Sequence, residues 1–169
     1  MKVVVTDACI FIDVIELQLT SKFFSLNLEI HTTQDVLNEL YSAQYQILEG
    51  YEASNKLTVH NLTGEEQLLL MADKYPNSLT PEDRSVIFIA EKIKATILSS
   101  DKEVRKYAKK LSIDYHGMLW IFDELVEREI LTKAEAVSKI TQMRTSNFMY
   151  RNNQELQSEI QKRIGKWAR

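Results

Sequence analysis

One cysteine, two prolines and four glycines are all that 169 residues contain of these types. The lone Cys9 excludes an intrachain disulfide and suits a reducing compartment, and its apolar neighbours mark it as a small buried side chain rather than a nucleophile. So little Pro and Gly excludes collagen-like and linker-like segments, and no low-complexity tract or solenoid-length repeat occurs. No apolar run approaches the roughly 20 residues needed to span a bilayer. The apolar N-terminal stretch is interrupted by Asp7 and Asp13, which breaks a signal-peptide core. The expectation is a cytoplasmic protein with no membrane partner. Histidine is scarce too: His31, His60 and His116 lack any ligand spacing, so they are read as structural or surface residues.

What is present is an ordinary globular composition, 44% hydrophobic and 27% charged, in a chain long enough to bury a real core. The net charge of −3 conceals an asymmetry. Residues 91–110 carry seven Lys/Arg against three acids, and residues 144–169 carry six against two, so each stretch is +4 and the remainder is −11. Phosphate contact needs a local basic surface rather than a basic total, although solvated helix faces give the same count.

The chain alternates between strand and helix patterns. Lys2–Thr6 is a β-branched strand buried on both faces, followed by a helix through Ile10, Val14 and Leu17. Strands are expected again at 28–32, 57–62, 95–99 and 113–115. A helix carries Val36, Leu37, Leu40 and Tyr41, and another spans 64–75 with Leu68, Leu69 and Met71 on its apolar side. Thr80 is an N-cap with Pro81 at the first helical position and Asp83 three residues after the cap. Helices follow over 101–110, 117–129 and 132–143, the last opened by the capping box of Thr132 and Glu135. The pattern predicts a three-layer α/β/α domain with a central, mostly parallel sheet over residues 1–143, then a basic helical extension over 144–169.

The chemistry lies in acids at strand-to-helix junctions. Asp7 closes the first strand and Asp101 lies just past the strand ending at Ser99 and Ser100. Glu39 falls within the first turns of its helix, and Asp83 in the first turn of its own. In a parallel sheet every strand ends at the same edge, where such folds place their sites, so four segments deliver four carboxylates to one crevice. Such a cluster repels itself unless cations neutralise it, and hard oxygen donors suit Mg²⁺ or Mn²⁺ rather than zinc. A cation held there lowers the pKa of a water and stabilises charge on a phosphodiester, so the expected reaction is in-line phosphodiester hydrolysis. Each acid also has a plainer reading: Asp at a helix start caps it, and Glu39 fits a solvated face. Asp13 is a fifth acid, on the first helix and away from the cluster. Ser99 is expected to support a ligand carboxylate or to end its strand. Lys102, Arg105, Lys106 and Lys109, on the helix after Asp101, are the expected guides for a nucleic-acid backbone, and Tyr107 and Tyr115 beside them are read as packing rather than as stacking a base.

Val4-Val-Thr-Asp7-Ala-Cys-Ile-Phe-Ile-Asp13 resembles the opening of PIN domains, in which an Asp follows strand one. Asp35-Val-Leu-Asn-Glu39-Leu is similar to the family's second motif, Leu79-Thr-Pro-Glu-Asp83-Arg-Ser-Val-Ile to its third, and Ile97-Leu-Ser-Ser-Asp101 to its fourth. The segment from Gly117 to Glu129 resembles the closing part of the bacterial toxin-like branch. The resemblance covers residues 1–143. It implies a Mg²⁺- or Mn²⁺-dependent endoribonuclease with Asp7, Glu39, Asp83 and Asp101 as catalytic and metal-holding residues. It further implies the toxin of a toxin–antitoxin pair, with RNA, a small antitoxin protein and a second copy of the chain as expected partners. Ala8 and Cys9 depart from the family's usual Thr/Ser and Asn/Ser, so a hydroxyl or amide supporting the metal shell is missing.

Two other phosphate-handling α/β folds place acids after strand one. Haloacid-dehalogenase-like phosphatases need a second Asp two residues after the first, where this chain has Cys9. Receiver domains need an acidic pair at the end of strand one, and the pair is absent. The remaining alternative is a catalytically silent PIN-like module that holds RNA or protein.

Overall fold

Lys2–Thr6 (β1) is the centre of the sheet, and Val4 and Val5 are fully buried, as a β-branched run covered on both faces requires. The computed structural model describes all residues, Met1–Arg169. Along the chain β1 is followed by α1 (Ala8–Glu16), α2 (Thr20–Phe24), β2 (Leu28–Thr33), α3 (Gln34–Leu37), α4 (Ser42–Ala53) and β3 (Leu57–His60). Then come α5 (Gly64–Leu70), α6 (Pro81–Ile93), β4 (Thr96–Leu98), α7 (Lys102–Lys110) and β5 (Tyr115–His116). The chain closes with α8 (Met118–Glu127), α9 (Lys133–Ser146), α10 (Phe148–Arg151) and α11 (Gln154–Trp167).

The five strands form one sheet in the order β3-β2-β1-β4-β5, and every pairing is parallel. Strand steps run one way from β1 through β3 and the other way from β4 to β5. Right-handed crossovers in opposite directions put their helices on opposite faces, which gives the three-layer α/β/α class expected from the sequence. The reversal falls between β1 and β4, and such a switch point opens a crevice at the C-terminal ends of its two strands.

The chain divides into two compact units. The first, Met1–Ile12 with Asn27–Gly117, contains the whole sheet. Its core is Val4, Val5, Ile30, Ile97 and Leu98 with Val86, Ile87, Ile89 and Ala90 of α6, each at most 3% exposed. The second, Asp13–Leu26 with Met118–Arg169, is helical. In it α11 lies along α9, the rings of Phe122 and Trp167 meet at 6.4 Å, and Arg163 grips Asp123 with two nitrogens at 2.9 and 2.8 Å. The basic residues after Arg144 thus belong to helices with buried Tyr150, Ile160 and Trp167.

Two local expectations are corrected. The helix expected to carry Glu39 is a single turn: α3 stops at Leu37, and Glu39 sits on the turn before α4, a helix not anticipated because Leu48 is its only buried residue. The segment 64–75 is helical only to Leu70, and Leu68, Leu69 and Met71 are 69%, 53% and 75% exposed. Four consecutive apolar residues fan around a helix at about 100° each, so only Leu70 turns inward. His31 and His60, read as structural or surface residues, pair with each other: their ring nitrogens meet at 2.8 Å across β2 and β3, and His31 Nε2 lies 2.8 Å from Glu29 Oε1.

Candidate active site

Five carboxylates of the first unit, Asp7, Glu39, Glu82, Asp83 and Asp101, line one cavity of about 220 Å³ at the switch point. Each arrives by a different piece of local chemistry. Asp7 ends β1, is 5% exposed, and starts α1 by accepting the Ile10 N–H on Oδ1 at 3.2 Å. Its N–H donates to the Leu98 carbonyl at 3.1 Å, which ties the ends of β1 and β4 together. Asp101 is the N-cap of α7, its Oδ1 accepting from Glu103 and Val104 N–H at 2.8 and 3.1 Å. Asp83 completes the capping box of α6: Thr80 Oγ1 accepts its N–H at 3.2 Å, and its Oδ2 accepts the Thr80 N–H at 3.0 Å.

Glu39 is positioned indirectly. Thr33 ends β2 and caps α3, its Oγ1 accepting the Val36 N–H at 3.1 Å while lying 2.7 Å from Ser85 Oγ on α6. This buried pair fixes the single turn of α3 against α6, and the turn that follows delivers Glu39 to the mouth of the cavity.

The electrostatics follow from the crowding. Burial raises the Asp7 carboxyl to about 6, against hydrogen bonds from Cys9, Ser99 and Ile10 that favour its charged form, and Asp83 adds repulsion. Burial and the charges of Glu82, Asp83 and Asp7 raise Glu39 to about 7, and Glu39 hydrogen-bonds Glu82. Asp83 is raised as well, by burial first and then by Asp101 and Glu82. No Lys or Arg lines the cavity. The cavity therefore holds an excess of negative charge that its own wall does not neutralise.

All four acids singled out in the sequence reach this cavity, and each of the three aspartates also caps its own helix, so the two readings coexist. As the side chains stand, no three His, Cys, Asp or Glu groups are grouped closely enough to hold a metal ion. In this arrangement one oxygen of Asp7, Asp83 and Asp101 is turned back to its own helix start, and Glu39 hydrogen-bonds Glu82. The five acids are hard oxygen donors carrying excess negative charge, which fits Mg²⁺ or Mn²⁺ better than an imidazole-seeking ion.

The sequence profile of the PIN domain family matches residues 3–166. The chain belongs to the PIN domain family. Members are typically nucleases and usually use divalent metal ions. Among solved structures, the PIN fold here is similar to a PilT N-terminus domain protein from the hyperthermophilic archaeon Sulfolobus solfataricus, with TM-score 0.51, 17% identity, and coverage of 74% of this chain and 94% of that one. A domain of a functionally unknown protein from Methanocaldococcus jannaschii is also similar, with TM-score 0.46, 20% identity, and coverage of 69% and 91%. At 17% identity the likeness to the Sulfolobus protein speaks for the fold alone. No curated protein matches the chain significantly.

The remaining expected residues of this PIN domain fall as follows. Ser99 is fully buried, hydrogen-bonds Asp7, and its Oγ accepts the Asp101 N–H at 3.0 Å. Asp13 does not line the cavity: it is buried in the second unit and accepts from Asn147 Nδ2 at 2.9 Å. On α7, Lys102, Lys106 and Lys109 are exposed, whereas Arg105 lies over the Tyr115 ring at 5.0 Å. Arg105 also fills the space where a Cβ on Gly117 would stand, 2.8 Å from Nη1. Tyr107 is packed, its hydroxyl donating to the Lys74 carbonyl at 3.2 Å. Two cavity residues were not singled out as functional from the sequence. Glu82 neighbours Asp83 in the same capping segment, and only the rotation of α6 reveals that both face the cavity. Cys9 lines it also, and its Sγ–H donates to Asp7 Oδ1 at 2.9 Å.

Proposed function

We propose that this PIN domain is a metal-dependent endoribonuclease, with Asp7, Glu39, Asp83 and Asp101 holding Mg²⁺ or Mn²⁺. The observation that carries the reading is the cavity at the β1/β4 switch point, lined by five carboxylates and no cation. A bound divalent ion supplies a more acidic water and compensates the charge that builds on a phosphodiester during in-line hydrolysis. The chain's own residues do the rest. Asp7 and Asp101 are anchored at the ends of neighbouring strands, with Ser99 between them, and this presets their spacing. Glu39, which burial and crowding raise to about 7, would release its proton to solvent once a cation compensated the charge of the cavity.

Phosphates do not approach so acidic a cavity unaided. Lys102, Lys106 and Lys109 project into solvent from the helix that Asp101 caps, and they are the residues we assign to guiding RNA. The toxin-like resemblance of the sequence extends the reading to one half of a toxin–antitoxin pair, with a small protein as inhibitor.

The test is cleavage of single-stranded RNA by purified protein. Activity is expected with Mn²⁺ or Mg²⁺ and absent with chelator. It should fall by about 100-fold or more in Asp7→Asn and Asp101→Asn, a size typical of lost electrostatic stabilisation in such sites. Expression in a bacterial host should arrest growth for the parent and not for Asp7→Asn. Parent-like activity in both variants would remove the metal mechanism, and RNA binding without metal-dependent cleavage would leave a silent binding module.

A further inference from the structure

We infer that Cys9 is a positioning residue of this cavity: its thiol sets the orientation of the Asp7 carboxylate and ties it to the turn that carries Asp101. The inference rests on the reading of the cavity as a cation site. Asp7 is joined to that turn in two ways. Ser99 makes the first, hydrogen-bonding Asp7 while accepting the Asp101 N–H at 3.0 Å. Cys9 makes the second. Its Sγ–H donates to Asp7 Oδ1 at 2.9 Å, and the Ser100 N–H donates to the same sulfur at 3.4 Å.

The consequence is geometric. A carboxylate rotates readily about its last torsion, which is broad and nearly two-fold. Two donors, the Ile10 N–H and the Cys9 thiol, converge on one oxygen, Oδ1, and hold that rotation in place. The Ser100 contact fixes the sulfur in turn, so the orientation of Asp7 is referred to the backbone that places Asp101. The sequence alone suggested that a supporting hydroxyl or amide was missing beside Asp7. The thiol takes that place, and its longer bond to Cβ lets one atom reach both the carboxylate and the Ser100 amide. Partners that orient a metal-holding carboxylate without touching the ion change affinity by about 10- to 100-fold when removed.

The experiment is calorimetric titration of metal-free full-length protein with Mn²⁺, comparing the parent with Cys9→Ala, Cys9→Ser and Asp7→Asn, beside a melting scan of each. Cys9→Ala is expected to bind Mn²⁺ about tenfold more weakly at an almost unchanged metal-free melting temperature. Cys9→Ser, which keeps a donor, should recover most of the lost affinity. Should Cys9→Ala fail to fold, Cys9→Val removes the donor while leaving no cavity behind. Parent-like affinity in a folded variant lacking the donor overturns the inference, and so does equal weakening in the Ala and Ser variants. If Asp7→Asn also binds Mn²⁺ like the parent, the cavity is not the cation site and the functional reading itself fails. Loss in Asp7→Asn alone removes only the role of Cys9.

Discussion

Asp7 shows why a site of this kind is costly to the fold that carries it. Its carboxyl is raised from 3.8 to about 6, chiefly by burial, so the folded protein retains a proton that the unfolded chain has already released. A raised acid contributes stability that is complete below pH 3.8 and is lost as pH climbs through about 6, because ionisation then occurs in the buried state. For Asp7 the loss is about 3 kcal/mol. Glu39, raised to about 7, extends the decline toward neutrality. The metal-free protein should therefore melt higher at pH 5 than at pH 7.5, with the difference reduced in Asp7→Asn and the remainder carried by Glu39. Saturating Mn²⁺ should raise the melting temperature more at pH 7.5 than at pH 5, by ligand linkage. Identical pH profiles for the parent and Asp7→Asn would show that Asp7 is not the strained group. At this scale the sequence was informative about Asp7, Asp83 and Asp101 because each caps a helix directly after a strand or loop signal. It was silent on Glu82 and on the thiol of Cys9, whose roles depend on side-chain direction across elements distant in sequence.

Among the elements, α3 carries the most consequence for its length. Four residues cannot hold a helix by their own hydrogen bonds, so its position depends on Thr33 as cap and on the Thr33–Ser85 contact with α6. Thr33→Ala should cost about 1–2 kcal/mol and should loosen the turn bearing Glu39, weakening Mn²⁺ binding as well as stability. A variant that loses stability with parent-like Mn²⁺ affinity would separate α3 from the site. The helix after Asp101 gives a second case. Val104, Tyr107 and Ala108 are its buried face, so Lys102 and Lys106 point outward. Reversing both to Glu should weaken RNA binding and flatten its salt dependence while leaving the Mn²⁺-induced rise in melting temperature intact. Unchanged RNA affinity would move the nucleic-acid path elsewhere. The strands and long helices were legible because β-branched runs, Pro81 and the Thr80 and Thr132 capping boxes are local signals. α3, α4 and the His31–His60 pair were not. One turn has no periodicity, α4 buries only Leu48, and two histidines 29 positions apart meet only once β2 and β3 pair.

For the molecule as a whole, the PIN domain match runs over residues 3–166 and so takes in both compact units, including the helices built from the basic residues after Arg144. No helix is long and apolar enough to cross a membrane. The uneven charge of the sequence has a structural counterpart: five acids of the first unit gather in one cavity, while exposed lysines stand on the helix that Asp101 caps. On the proposed function, this cavity is where the chain holds a divalent cation. The most direct measurement is the anomalous difference map of a crystal soaked in Mn²⁺. The expected result is a peak within about 2.0–2.6 Å of oxygens from Asp7 and at least two of Glu39, Asp83 and Asp101. A peak held by other residues, or none at saturating Mn²⁺, would contradict it.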